Sequence, residues 1–167
     1  MPATVSLKQC IGAGPTVTSI TNLRLNTDDT VNPGSTNPLV QPAAGMLRSY
    51  WKTVYLNADT SPTGEINNVQ IYCDGAIGWT GCDVFVGSSG VYTQATGTLG
   101  VTGDDSSVAT ANMENFIETS PKQLTGSIVN PNTGRITDYI VFQVDLTHSA
   151  KGQALNPETI TIAYDEY

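Results

Sequence analysis

The sequence predicts an all-β fold: an antiparallel β-sandwich of about seven to eight strands, jelly-roll-like or immunoglobulin-like in form. Three observations predict it. Charged residues are only 13% of the 167, about half of the usual ~25%, while Thr, Ser, Asn and Gly abound. Apolar residues recur with a period of two, most clearly in "TDYIVFQVDLT" (137–147) and "ETITIAYDEY" (158–167), the spacing of half-buried strands. No window carries a clear helical stripe, and many short alternating segments build sandwiches. A chain of this length can bury roughly 70% of its unfolded surface in one core.

Residues 1–16 are small, end in "GAGP", and read as a flexible N-terminal arm ahead of a single sandwich domain, 17–167. "TVTSITNLRLN" (16–26) is rich in β-branched residues and reads as a strand. Residues 27–45 hold three prolines and two glycines, a density that no regular element survives. A loop of that length in a compact domain is usually functional or partly disordered. "SYWKTVYLN" (49–57) follows as a strand with large residues on both sides, so both of its faces should be covered. "ADTSPTGE" (58–65) is turn chemistry.

"INNVQIYCD" (66–74) and "CDVFVG" (82–87) read as a hairpin joined by "GAIGWTG". "SSGVYTQAT" reads as a further short strand. Residues 97–115 are weakly specified, and "TANMENFI" (110–117) is compatible with a short helix but shows no clear apolar stripe. Ile140, Phe142, Val144 and Leu146 line one face of 137–147. Tyr139, Val141, Gln143 and Asp145 line the other. The last strand, 159–165, is expected to pair antiparallel with 137–147 and to put Ile160, Ile162 and Tyr164 into the core.

Net charge is −8, and the seven Lys and Arg are scattered. Nucleic acid needs a basic patch to neutralise its phosphates, so no nucleic-acid partner is expected. No window approaches the ~20 apolar residues of a membrane-spanning helix, and no membrane partner is expected. The N-terminus lacks the charged start and long apolar core of a secretory signal, so the chain is expected to fold in a cytoplasm. Cys10, Cys73 and Cys82 are an odd count, which argues against a closed disulfide framework. A Cys73–Cys82 bridge across the intervening loop stays open, as does Cys10 free or paired between subunits.

No catalytic constellation stands out, and no cofactor or metal is expected. His148 is the one histidine, with no nucleophile motif near it. The acidic pairs Asp28–Asp29, Asp104–Asp105 and Asp165–Glu166 lack the spacing of a calcium loop and suit ordinary turns. Trp51, Trp79, Tyr50, Tyr55, Tyr72 and Tyr92 suit either a sugar-stacking platform or core packing. Trp79, in a glycine-rich loop, is either tucked under or offered to a partner. Cys10, Trp79 and Tyr167 are the interface candidates.

"RSYWKTVYLN", "DGAIGWTGCDVFVGSSGVYTQAT", "TDYIVFQVDL" and "TITIAYDEY", over residues 48–95 and 136–167, together resemble a group of tailed-phage virion structural proteins. The resemblance implies a non-enzymatic particle component located in the virion. A capsid decoration (cement) protein is the first expectation, bound to the major capsid protein or other virion proteins as a homo-oligomer, with a trimer among the forms considered. A neck, tail or fibre-base component is the alternative, and a carbohydrate- or receptor-binding module is the alternative of another class.

Overall fold

A computed structural model describes residues 2–31, 35–150 and 155–167. Its architecture is all-β and antiparallel, built on two main sheets. Four long strands form the centre of the larger sheet. These are β1 (Val5–Ile11), β4 (Lys52–Ala58), β6 (Cys82–Ser89) and β13 (Tyr139–Thr147). With β2 (Thr16–Ile20) and β9 (Ala111–Asn112) at its edges, the order is β2-β1-β4-β13-β6-β9. Two short strands extend existing rows. β3 (Met46–Arg48) continues the line of β4 along β13, and β12 (Gly134–Arg135) continues the line of β13 along β4.

The smaller sheet centres on β5 (Glu65–Tyr72). β14 (Thr161–Glu166) pairs with one side of β5, and β10 (Lys122–Gln123) and β11 (Ile128–Val129) pair with the other. A separate small hairpin joins β7 (Gly97–Thr98) to β8 (Thr102–Gly103).

The period of two does what the sequence predicts. Ile140, Phe142, Val144 and Leu146 join Val54, Leu56, Val84 and Val86 on the inner face of the large sheet. They meet Ile66, Val69 and Ile71 of β5, each at 0% exposure. Apolar area removed from water is the main stabilising term here, at about 25 cal/mol per Å². The inner layer is broader than the small sheet alone, because Leu23, Leu25, Val31 and Leu39 of the irregular segment after β2 also pack on the core.

The outer face of the large sheet is covered near β13. Val141, Gln143 and Thr53 are buried on it, and residues 103–110 lie over Gln143. Gln143 fixes that segment. Its Nε2 donates to the carbonyls of Ser49 (2.8 Å) and Asp104 (2.7 Å), and its Oε1 accepts from Ser106 N (3.0 Å). Gly87 is required here, since a Cβ would sit 1.8 Å from the Val108 carbonyl oxygen.

Several expectations are corrected. The arm expected over 1–16 is not an arm: β1 is hydrogen-bonded to β2 on one side and β4 on the other. Val5 and Leu7 pack on the core. The ladders hold this segment more than its few apolar side chains do, so its composition hid it. The β5–β6 hairpin is absent, because β5 and β6 lie in different sheets and residues 73–81 cross between them. For the same reason β13 and β14 are not ladder partners: β14 pairs with β5. Ile160, Ile162 and Tyr164 do pack against the core, reaching it from the opposite sheet. The strand expected within 88–96 reduces to the last residues of β6, and 110–117, compatible with a short helix, holds one 3-10 turn, Met113–Asn115.

Candidate functional site: a surface built from four loops

Lys52 opens β4 on the inward parity and is 1% exposed. Its neighbours across the ladder are Phe142 and the row of Val54, which offer an ammonium nothing. The irregular segment after β2 supplies the partners: Nζ donates to the carbonyl oxygens of Asp28 and of Thr30, the latter at 3.2 Å. Burial pulls the Lys52 pKa down to about 8, against the opposing pull of the Asp29 and Asp28 carboxylates. The Thr30 carbonyl also accepts from Gln9 Nε2 (3.4 Å), and Gln9 is itself buried. The Thr30 hydroxyl and both amide atoms of Asn26 are buried without a protein partner.

Around this anchor, short-range polar chemistry ties four loops together. Asp29 Oδ2 accepts from Gly12 N (2.8 Å), in the turn after β1, and from Gln94 Nε2 (3.1 Å), in the segment after β6. Tyr92 donates its hydroxyl to the Gly12 carbonyl (2.9 Å). Thr27 N and Oγ1 both donate to the Asn37 carbonyl (3.0 and 2.9 Å), and Asn37 Nδ2 donates to Asp28 Oδ2 (3.0 Å). The tip of the β7–β8 hairpin then docks through Gly100 N on the Thr27 carbonyl (2.9 Å). Gly103 lets that hairpin lie against the chain before β4, where a Cβ would stand 2.1 Å from Ser49 O. The carboxylates of Asp28 and Asp29 are thus spent on loop hydrogen bonds, the ordinary use of such residues in turns.

What this rigid scaffold presents is apolar. Leu99 and Val101, flanking Gly100 at the hairpin tip, are 63% and 52% exposed. Val40 and Met46, on the adjoining segment that carries Asn37, are exposed as well, and so is Val91. Residues 30–47 and 84–103 contain no Asp, Glu, Lys or Arg, in a chain of net charge −8. Large apolar side chains exposed on hydrogen-bonded loops make this surface a candidate site of contact.

The three interface residues expected from the sequence are not brought together. Cys10 is corrected: it is 3% exposed within β1, and burial pushes its thiol pKa up. Trp79 is tucked under, half-buried against the core, its Nε1 donating to the Asn156 carbonyl (2.7 Å). Tyr167 is 70% exposed, with its backbone N–H held by the Glu65 carbonyl (3.0 Å). The hairpin tip was missed. Its signal in the sequence is "TGTLGVTG", two large apolar residues spaced by glycines inside an uncharged run. Cys73 and Cys82 are both buried free thiols.

The other places where chemistry was sought are ordinary. Among the described residues no group of three or more His, Cys, Asp or Glu could hold a metal ion. A cleft of about 380 Å³ is lined by Arg48, Asp105, Asp145 and Gln143. There Arg48 Nε is shared between Asp145 (3.2 Å) and Asp105 (3.3 Å). Asp145 is buried, and burial raises its pKa despite the Arg48 charge. A second cleft, about 470 Å³, is lined by Tyr72, Ile117, Glu118 and Glu158 among others. Most aromatics of the sugar-platform reading are used in packing. Tyr50 is buried, Trp51 Nε1 donates to the Thr93 carbonyl (3.2 Å), and Tyr55 and Tyr92 both meet the Tyr139 ring edge-on.

Comparison of the chain with protein-family models, with curated proteins and with solved structures returns no match.

Proposed function

We infer that this chain is a non-enzymatic structural protein of a virion, first of all a capsid decoration protein that binds the outside of a phage head. The observation that carries the reading is the hydrogen-bonded loop surface on which Leu99 and Val101 stand exposed. A free-standing monomer gains nothing by fixing two large apolar side chains in water, whereas a coat component uses such a surface to dock. The resemblance of residues 48–95 and 136–167 to tailed-phage virion proteins supports the same reading. So does the way the loops are fixed: docking then freezes little extra chain, and immobilisation entropy is a main cost of association.

The test is incorporation into particles. The variant Leu99→Ser/Val101→Ser is expected to melt like the parent chain and to be lost from particles on sedimentation. Full incorporation of the variant rejects the loop surface as the docking face. Copy number then separates the positions. Hundreds of copies per particle fit decoration of the head, and tens or fewer move the chain to the neck or tail. Absence of the chain from every purified particle rejects the virion reading as a whole.

A further inference from the structure

An antiparallel sheet ends in unpaired N–H and C=O groups, and proteins blunt such edges with short strands, charges, prolines or bulges. Three of the four described edges of the two main sheets are blunted. β9, on one side of the large sheet, is two residues long. β10 and β11 are two residues each and sit at opposite ends of β5. β14 is longer, but its register shifts between Ala163 and Asp165, and it closes on Asp165 and Glu166. β2, the other edge of the large sheet, has none of these devices. Its five residues run in unbroken register along β1, from Ile20 opposite Leu7 to Thr16 opposite Ile11. Thr16, Val17, Thr18 and Ser19 are all exposed, Val17 at 45%. No proline interrupts it, and no residue within it has a positive φ.

We propose that β2 pairs antiparallel with β2 of a second copy of this chain, about a two-fold axis through Thr18, so that two large sheets become one. The charge pattern favours a second copy. Residues 9–23 contain no Asp, Glu, Lys or Arg, so the β1–β2 hairpin is a stretch along which two chains of charge −8 can approach without setting like charges against each other. Lys8, just before this stretch, is already neutralised by Asp59 (3.1 Å) and bonded to Ser19 Oγ (2.8 Å).

The strand also matches itself. The axis sets Thr16 opposite Ile20 and Val17 opposite Ser19. Each cross-strand pair then joins a small or hydroxylic residue to a β-branched one, as paired sheets favour. A closed two-fold contact of this kind uses the same patch on both copies and stops at two, which disagrees with the trimer considered from the sequence. The proposal is independent of the loop surface, which β2 does not include.

Sedimentation equilibrium of the full chain, from low to high micromolar concentration, gives the first readout. A monomer–dimer equilibrium is expected. Val17→Lys/Thr18→Lys changes two exposed side chains and is expected to remain monomeric at every concentration, with unchanged far-ultraviolet circular dichroism. Hydrogen exchange on the unaltered chain gives the second readout: amides in 16–20 that do not face β1 should gain protection only where the dimer is populated. A wild-type chain that stays monomeric or forms a trimer overturns the proposal. So does a lysine variant that still dimerises, or a dimer whose β2 amides exchange as in the monomer. If the lysine variant does not fold, the exchange experiment decides alone. Leu99→Ser/Val101→Ser must keep the dimer, so loss of particle binding and loss of pairing at β2 are read separately.

Discussion

The pH dependence of stability tests whether Lys52 holds the loop surface as a buried ammonium. Its pKa falls from 10.5 in the open chain to about 8 in the fold, through burial. Below pH 8 both states carry the proton, and the folded state bears the full cost of the buried charge. Between pH 8 and 10.5 the unfolded chain binds more protons than the folded one, so stability rises with pH. Above 10.5 both are neutral and the gain is complete. The interval from 10.5 to about 8, at 1.36 kcal/mol per pH unit, comes to about 3 kcal/mol. Against whole-domain stabilities of about 5–15 kcal/mol that is a large share.

Other groups titrate nearby with the opposite sign. Burial raises the pKa values of Cys10, Cys82, Tyr50, Tyr55 and Tyr92, so they lower stability as pH rises past the ordinary thiol and phenol range. A difference measurement removes them. Lys52→Met keeps the length and apolar stem of the side chain and drops the charge. At pH 7 it relieves the desolvation cost but strands the carbonyl of Asp28, worth roughly 1–3 kcal/mol when buried and unpaired, while the Thr30 carbonyl keeps Gln9 Nε2. The two effects oppose each other there. Urea midpoints of parent and variant, taken from pH 7 to 10 and converted through a common m-value, should diverge in favour of the parent as pH rises. Parallel curves would falsify the buried-ammonium account.

Gly87→Ala drives a Cβ into the Val108 carbonyl at 1.8 Å and should lower stability by at least the ~1–3 kcal/mol of an overpacked site; Gly14→Ala, with nothing within 4 Å, is the matched control and should melt unchanged or slightly higher. Leu99→Ser/Val101→Ser should stay within about 0.5 kcal/mol of the parent by chemical denaturation, because both side chains are already in water. Asp145→Asn removes a carboxylate whose pKa burial has raised. Its folded form holds a proton longer than its unfolded form, so stability falls as pH climbs from the ordinary value of 3.8 through the raised one. Asparagine should therefore hold or raise the melting temperature at pH 7 and lose that advantage near pH 3. Deleting residues 158–167 uncovers Val69 and Ile71 and the β14 side of β5, and the product should be found in the insoluble fraction.

Strand existence was legible wherever side chains decide it. β13, β4, β5, β6 and β14 all lie within segments read as strands, and the inward residues read for β13 and the last strand are the ones that pack on the core. Pairing was less legible. Sequence neighbours usually pair in antiparallel folds, yet β5 and β6 are split between sheets. Nothing in "DGAIGWTG" distinguishes a chain that turns back from one that crosses over. The N-terminal strand was missed because its stability lies in backbone ladders to β2 and β4, and main-chain hydrogen bonds leave no mark on composition. The loop surface was half legible. Its prolines and the uncharged run 30–47 are visible in the sequence, but the link from Thr27 to Gly100 joins segments more than seventy positions apart.

The placement of Lys52 shows why the site is in loops and not on a sheet face. At its centre the large sheet is covered on both faces, the inner one by the small sheet with Leu23, Leu25, Val31 and Leu39, the outer one around Gln143 by residues 104–106. There only its edges and its connections are left for contact with anything else. Long connections are costly to order, since each residue fixed loses roughly 1–2 kcal/mol of backbone entropy. Apolar burial repays little of that at an exposed rim. Specific polar anchors must supply the rest, and the residues that do so are few: a buried ammonium on two carbonyls, Asp29 on two donors, and Thr27 between Asn37 and Gly100. Each anchor therefore governs the order of the loops it joins. Asp29→Ala should loosen the turn after β1 and the segment around Gln94 together, seen as faster amide exchange at Gly12, while the amide protection of β6 and β13 stays as it was. Independent loosening of Gly12 without any change near Gln94 would show that the two loops are held by separate contacts.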